Sequence, residues 1–205
     1  MMISTTVNST VSDICIRIPQ HYHRQPIISQ LVSRYDLIVN IAAALLKVDT
    51  RDDGWFNLEI QGCFQQVEAG IAYLQKLDIE IEQLNFKSLG KQETEKLKCL
   101  GVSSDRCNSF QSSPQIQDNK SEFDWSVVQR QTNRAKFHVC ISQNYRYSPV
   151  ITGLVSFGLT VNIVGASLNI DTKDDGWFDL EIWGSPQQIV FGLRYLKQLG
   201  LQIWL

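Results

Sequence analysis

KVDTRDDGWFNLEIQG at residues 47–62 returns as NIDTKDDGWFDLEIWG at residues 169–184. Asp53 aligns with Asp175, an offset of 122, and the match runs from Asn40/Asn162 to Gln83/Leu205 through Gln65-Gln66/Gln187-Gln188, Gly70/Gly192, Tyr73-Leu74/Tyr195-Leu196, Leu77/Leu199 and Ile81/Ile203. Self-similarity at one fixed spacing over such a span marks a duplicated structural unit. Upstream the offset becomes 123, aligning Ile14-Cys15-Ile16-Arg17-Ile18 with Phe137-His138-Val139-Cys140-Ile141 and Pro26 with Pro149, so the second copy has lost a residue near the position of Arg34–Asp36. The expected organisation is a first module at 12–85, a linker at 86–133 and a second module at 134–205. The linker is rich in Ser, Gln, Lys and Asn and poor in aliphatics, a composition that buries too little apolar surface to offset the entropy of ordering it. As a flexible coil it spans on the order of 35 Å, enough for the two modules to meet within one chain. Its segment Phe123–Val128 is apolar enough to dock on a module, or simply to be a sticky linker end.

Each copy reads as the same series of elements. Ile14, Ile16 and Ile18 alternate with polar residues, as do Phe137, Val139 and Ile141, which is the period of a half-buried strand. Pro26 and Pro149 suit a first helical turn, and Ile27, Ile28, Leu31 and Val32 follow at helical spacing. LIVNIAAALLKV and LTVNIVGASLNI read as strands, Asp-Asp-Gly supplies hairpin chemistry, and Trp55–Gln61 runs back with Phe56, Leu58 and Ile60 on one side. Ser185-Pro186 is a helix start, followed by Ile189, Leu193, Leu196 and Leu199 at helical spacing. A short last strand holds Ile79 and Ile81, matched by Leu201 and Ile203.

The order β-α-β-β-α-β predicts an α+β fold of two ferredoxin-like modules, each a four-stranded antiparallel sheet with two helices on one face. Alternation assigns Cys15, Arg17, Asn40, Ala42, Ala44, Trp55, Asn57, Glu59, Glu80 and Glu82, with their equivalents, to the helix-free face. Such a face exposes more apolar surface than a free monomer usually shows, so the modules are expected to pair, within one chain or across a homodimer.

Composition narrows the function. The 205 residues carry 19 Lys and Arg against 21 Asp and Glu, a formal net charge of −2, so no broad positive field exists for nucleic acid or an anionic membrane. The longest nearly apolar run, Leu37–Leu46, is about half of what a bilayer-spanning helix needs, so membrane insertion is not expected. The N-terminus lacks a basic cluster followed by an apolar stretch, and a cytoplasmic protein is the simplest expectation. Cys15, Cys63, Cys99, Cys107 and Cys140 form no Cys-x-x-Cys pair, which argues for reduced thiols and against a zinc or iron–sulfur site. Cys99 and Cys107 in the linker could meet in a redox contact or be plain exposed thiols.

The combination of Asn-Ile in the second strand (Asn40-Ile41 and Asn162-Ile163), preceded by LVSRYDLIV or LVSFGLTV, with Gly-Trp-Phe-x-Leu-Glu-Ile-x-Gly and a Tyr-Leu pair in the last helix, resembles the NIL domain. The eponymous Asn-Ile-Leu is incomplete, with Ala42 and Val164 in third place. The resemblance covers both modules, 14–83 and 137–205. The best-known members sit at the C-terminus of methionine-importer ABC ATPases, look like ACT domains, pair with one another and bind the transported amino acid to inhibit uptake. Here no Gly-x-x-x-x-Gly-Lys-[Ser/Thr] loop exists to cradle a phosphate. The resemblance implies a non-catalytic sensor of an amino acid such as methionine, bound where modules meet. The rival expectation is an adaptor that docks a transporter or regulator through open sheet faces or edges.

The candidate site follows from the repeat. Asn40, Trp55 and Glu59 recur as Asn162, Trp177 and Glu181, offering an amide, an aromatic wall and a carboxylate for a small zwitterion or a polar seam, with Ile41 and Ile163 beside them. The plain alternative is that Trp55 packs over Asp52-Asp53-Gly54 and Glu59 faces solvent. Catalysis is not expected, because the copies share no His, Cys or Ser that could act as a nucleophile with its base. His21 and His23 lack a third ligand, His138 falls on a sheet face, and the acids Asp49, Asp52, Asp53 and Glu59 depart from EF-hand spacing, so no metal and no cofactor is expected.

Overall fold

The computed structural model describes residues 9–48, 50–88, 133–169 and 174–204. In the first copy β1 (Ser9–Ile18) leads through a 3-10 turn (Gln20–Tyr22) to α1 (Ile27–Tyr35), β2 (Ile38–Leu46), β3 (Gly54–Cys63), α2 (Phe64–Lys76) and β4 (Glu80–Ser88). The second copy repeats the series: β5 (Arg134–Ile141), a 3-10 turn (Gln143–Tyr145), α3 (Val150–Gly153) continued as a 3-10 helix (Leu154–Phe157), β6 (Thr160–Leu168), β7 (Gly176–Trp183), α4 (Pro186–Gln198) and β8 (Gln202–Trp204). Each copy is the ferredoxin-like βαββαβ unit.

The lost residue has a visible consequence. Nine residues of α1 rise about 13.5 Å, and the four α-helical plus four 3-10 residues of the second copy rise about 14 Å, because 3-10 winding climbs about 2.0 Å per residue against 1.5 Å. Tighter winding thus restores the length. Both helices end in a left-handed residue at matching places, Asp36 at φ 52° and Gly158 at φ 76°. The capping box expected at Ser185 forms, with Gln188 N–H donating to Ser185 Oγ (3.3 Å) and Ser185 N–H to Gln188 Oε1 (2.7 Å).

The two sheets are one. Strand order is β4-β1-β3-β2-β6-β7-β5-β8, joined by an antiparallel ladder of three pairs, Ala44 with Leu168, Leu45 with Ser167 and Leu46 with Ala166. Helices of both copies cover the same face, α1 lying against β6 and α3 against β2. A single apolar core results, with Ile16, Leu31, Leu58, Leu74, Leu154, Leu180 and Ile182 essentially inaccessible. Full burial of each such side chain contributes roughly 1.5–3 kcal/mol. The repeated glycines make room for it: a Cβ on Gly62 or Gly70 would come within 2.7 Å of Leu37, and one on Gly184 or Gly192 within 2.7 or 2.5 Å of Leu159.

One expectation is corrected. Ala44 lies in the core at 5% exposure and Ala166 at 7%, not on the helix-free face. The register of β2 on β3 shifts between Ile41 and Ala43, and that of β6 on β7 between Ile163 and Gly165. A bulge inserts one residue and reverses alternation beyond it. Asn40 opposite Glu59 therefore faces away from the helices, while past the bulge it is Ala43 opposite Asn57 and Leu45 opposite Trp55 that do so. The last strand of the first copy is also longer than its isoleucines suggest, pairing with β1 as far as Thr10 with Ser88. The rest of the linker, with Phe123–Val128, Cys99 and Cys107, lies outside the described residues.

Candidate functional site

The seam between modules creates two clefts related by the duplication. The first is lined by β2 at Val39, Asn40 and Ile41 and by the second copy's loop and helix from Ser142 to Thr152, with Leu168, Asp174 and Phe178 behind. In the second, Val161, Asn162 and Ile163 of β6 meet the first copy's loop and helix from Tyr22 to Ser29, with Ile18, Leu46 and Phe56 behind. Each is a cavity of about 20 Å³. That volume accommodates about one water molecule.

The roofing loops are gripped from both sides. Asn40 Nδ2 donates across the seam to Arg146 O (3.1 Å), and Asn162 Nδ2 donates to His23 O (3.0 Å). Both asparagines are buried, at 5% and 3% exposure, so these bonds satisfy amides whose isolation would cost on the order of 1–3 kcal/mol. From the other side the second acid of each Asp-Asp-Gly accepts the first N–H of the 3-10 turn, Gln20 N to Asp53 Oδ1 (3.1 Å) and Gln143 N to Asp175 Oδ1 (3.2 Å). The two most visible repeated motifs thus converge on one loop, the acid from its own module and the amide from the other.

Two further residues complete the seam, and neither stood out in the sequence. Ser29 Oγ accepts from Val161 N–H (3.1 Å), whereas Thr152, its counterpart, donates its hydroxyl to Val39 O. These main-chain groups lie beyond the three-pair ladder, on strand edges that would otherwise be unpaired. The available signal was a hydroxyl at matching positions on two otherwise apolar helix faces.

The remaining candidates do not join the clefts. Trp55 and Trp177 sit four residues along their strands from Glu59 and Glu181, about 13 Å at strand spacing, and none of these four lines a cleft. Trp55 lies under the Arg17 guanidinium (5.7 Å), which reaches Asp53 (2.8 Å) and Glu80 (3.0 Å). The Arg17 guanidinium beside Asp53 holds its carboxyl below the usual carboxylate range. Trp177, half exposed, stacks on Trp204 with centroids 5.3 Å apart. Glu181, buried at 7%, is bound by Arg134 and approached by Lys136 (3.8 Å). Ile41 and Ile163 are core residues that also edge the clefts. Burial pushes the Cys15 and Cys140 thiols up, with Glu82 and Asp175 adding to the effect. His21 packs on Tyr22, His23 Nε2 lies 3.3 Å from Ile18 O, and His138 pairs with Asp179. Among the described residues no group of three or more His, Cys, Asp or Glu could hold a metal, and no helix is long and apolar enough to cross a membrane.

The sequence profile of the NIL domain matches residues 13–83 and 136–204. The chain belongs to the NIL domain family. It carries two NIL domains in tandem. An uncharacterized protein of Synechocystis sp. is 40% identical over 73 residues, 36% of this chain and 74% of that protein. One from Synechococcus elongatus is 32% identical over 68 residues, 33% of this chain and 84% of that protein. Each relative is thus matched over most of its length by a stretch the size of one NIL module. Among solved structures, a microcompartments protein from Desulfitobacterium hafniense is 8% identical, covering 96% of this chain and 94% of its own at a TM-score of 0.30. A glycine cleavage system transcriptional repressor, described as putative, is 10% identical, covering 97% and 96% at a TM-score of 0.27. Likenesses at that level carry no argument about this chain.

Proposed function

We propose that this tandem NIL protein is a non-catalytic sensor that binds a small molecule, an amino acid of methionine type, at its module seam. The observation that carries this reading is the pair of cross-seam amide bonds, one per cleft, holding the loops that roof two mostly apolar cavities. A recognition site of this kind combines apolar walls with a few convergent polar groups, here the Asn40 or Asn162 amide, the loop carbonyls and the Ser29 or Thr152 hydroxyl. Cavities of about 20 Å³ hold no amino acid, so binding requires a loop to swing out and its asparagine bond to open. Occupancy would then change how the modules meet, which is the differential affinity between two states that regulation requires.

Thermal unfolding of the full chain against each of the twenty amino acids tests this. One ligand should raise the midpoint, since native-state binding stabilises by about 2.7 kcal/mol at a hundredfold excess over Kd. Asn40→Ala or Asn162→Ala should diminish that rise. A flat response to all twenty would overturn amino-acid sensing. A second reading, an adaptor for a transporter or regulator, draws on the exposed stacked pair Trp177 and Trp204 on the helix-free face. It expects the flat response.

A further inference from the structure

The duplication relates the two clefts, yet their charged residues have not been kept alike. At the offset of 123 His23 becomes Arg146, and at 122 Lys47 becomes Asn169 while Asp52 remains an acid as Asp174. In the first copy the cation and the acid stay on the β2–β3 hairpin, where Lys47 Nζ stands 3.8 Å from Asp52 Oδ2, and neither residue lines a cleft. In the second copy the cation has moved into the roofing loop. Arg146 donates a guanidinium N–H to Asn169 O at the end of β6, and both Arg146 and Asp174 line the first cleft. The roof of the second cleft has the His23 imidazole with Tyr22 and Gln25, and no Asp or Glu is among the residues that line it. One cleft therefore carries a guanidinium and a carboxylate at the end bounded by the β6–β7 hairpin, beside apolar walls from Ile41, Ile151, Leu168 and Phe178. The other carries apolar walls without that pair.

We propose that the two clefts are unequal, and that the first is the one built for the charged head of a free amino acid, with Arg146 taking the α-carboxylate and Asp174 the α-ammonium. This rests on the sensing function proposed above, and it names the cleft and the two residues that read the zwitterion. An α-amino acid carries both charges on one carbon, so its site needs a cation and an anion at the same end, with apolar surface beyond them for the side chain. The first cleft has that order. As the loop swings out, the guanidinium exchanges the neutral Asn169 carbonyl for a carboxylate, which its planar fork grips with two parallel N–H bonds. The ammonium in turn gives Asp174 a donor of opposite charge. Hydrogen bonds between charged partners are roughly twice as strong as neutral ones, so the second cleft, which lacks the carboxylate, holds the same molecule less tightly.

Isothermal titration calorimetry of the full chain with L-methionine tests this. One molecule per chain should bind tightly, and any second at least tenfold more weakly. Wild type should prefer L-methionine to L-methioninamide, which lacks the carboxylate, by tenfold or more, and Arg146→Gln should lose that preference. It should also prefer L-methionine to N-acetyl-L-methionine, which lacks the ammonium, by several-fold, and Asp174→Asn should lose that preference. The second effect is the smaller because Asp174 is exposed whereas Arg146 is half-buried. Each preference is a ratio measured on one protein, so a variant's altered stability does not enter it. Asp52→Asn, the same change at the duplicated position outside both clefts, should leave all three affinities at their wild-type values. Two equal sites per chain, or preferences that survive Arg146→Gln and Asp174→Asn, overturn the proposal while leaving amino-acid sensing intact. No binding of L-methionine overturns methionine sensing itself, and this assignment falls with it.

Discussion

Asn162 of the second NIL module holds His23 of the first, amide nitrogen to carbonyl oxygen, at 3.0 Å, and the duplication repeats the bond with Asn40 and Arg146 at 3.1 Å. An amide that donates to a main-chain carbonyl cannot be replaced by its isosteric acid. Asn162→Ala should lower the unfolding free energy by about 1–2 kcal/mol. Asn162→Asp should cost more at neutral pH, because a carboxylate oxygen then faces the carbonyl in a buried place. Burial raises the pKa of that carboxyl, so the Asp variant should recover toward the Ala value as pH falls and the acid gains a proton to donate. An Asn162→Ala variant that melts at the wild-type midpoint would show that the bond contributes nothing.

The seam hydroxyls make a second test. Ser29→Ala leaves the Val161 N–H without its partner, and Thr152→Val leaves the Val39 carbonyl without one. Each should cost about 1–3 kcal/mol in chemical denaturation. The serine change should be the larger, since an orphaned buried N–H is tolerated less often than an under-satisfied carbonyl.

Backbone handedness at the helix ends predicts a graded series. Gly200 has φ 73° with nothing within 4 Å of an added Cβ, so Gly200→Ala should cost about 1 kcal/mol from the left-handed conformation alone. At Gly158 an added Cβ would also come within 2.3 Å of Gln188 Nε2, the side chain that closes the α4 capping box, so Gly158→Ala should cost more. Asp78, which holds φ 53° at the place of Gly200, should gain several tenths of a kcal/mol as Asp78→Gly. Denaturation midpoints of the three variants check the order.

Acid stability has a local source in the first module. The Asp53 carboxyl is held below its ordinary value, first by the hydrogen bond from Arg17 and then by the Gln20 N–H. A group with a depressed folded pKa contributes stability that is fully present above its unfolded value of about 3.9 and is lost as pH falls through the folded value. Asp53→Asn should therefore flatten the fall in melting midpoint below about pH 4 while lowering the midpoint at neutral pH. An unchanged acid limb in that variant would remove Asp53 from the account.

Much of the fold was legible because it rests on local periodicity. Alternating isoleucines fix β1, the Ser185-Pro186 start fixes α4, and the 122-residue offset transfers each assignment from one NIL copy to the other. The site was legible only in part. Asn40 and Asn162 stood out as polar residues in apolar strands, and each lies opposite its carboxylate, Glu59 or Glu181, whereas Trp55 and Trp177 stand four residues of extended chain away.

What the sequence determined by itself is the content of each module: which residues are strands, which are helices, and that the unit occurs twice. Tertiary structure alone decided how the modules meet. The bulges at Ala42 and Val164 turn Ala44 and Ala166 into the core, and no local residue type announces a bulge of this kind. The β2–β6 ladder, the carbonyls of His23 and Arg146, and the backbone groups of Val39 and Val161 are main-chain partners over a hundred residues away. Every residue offers the same N–H and C=O, so side-chain identity carries no record of which ones will be brought together.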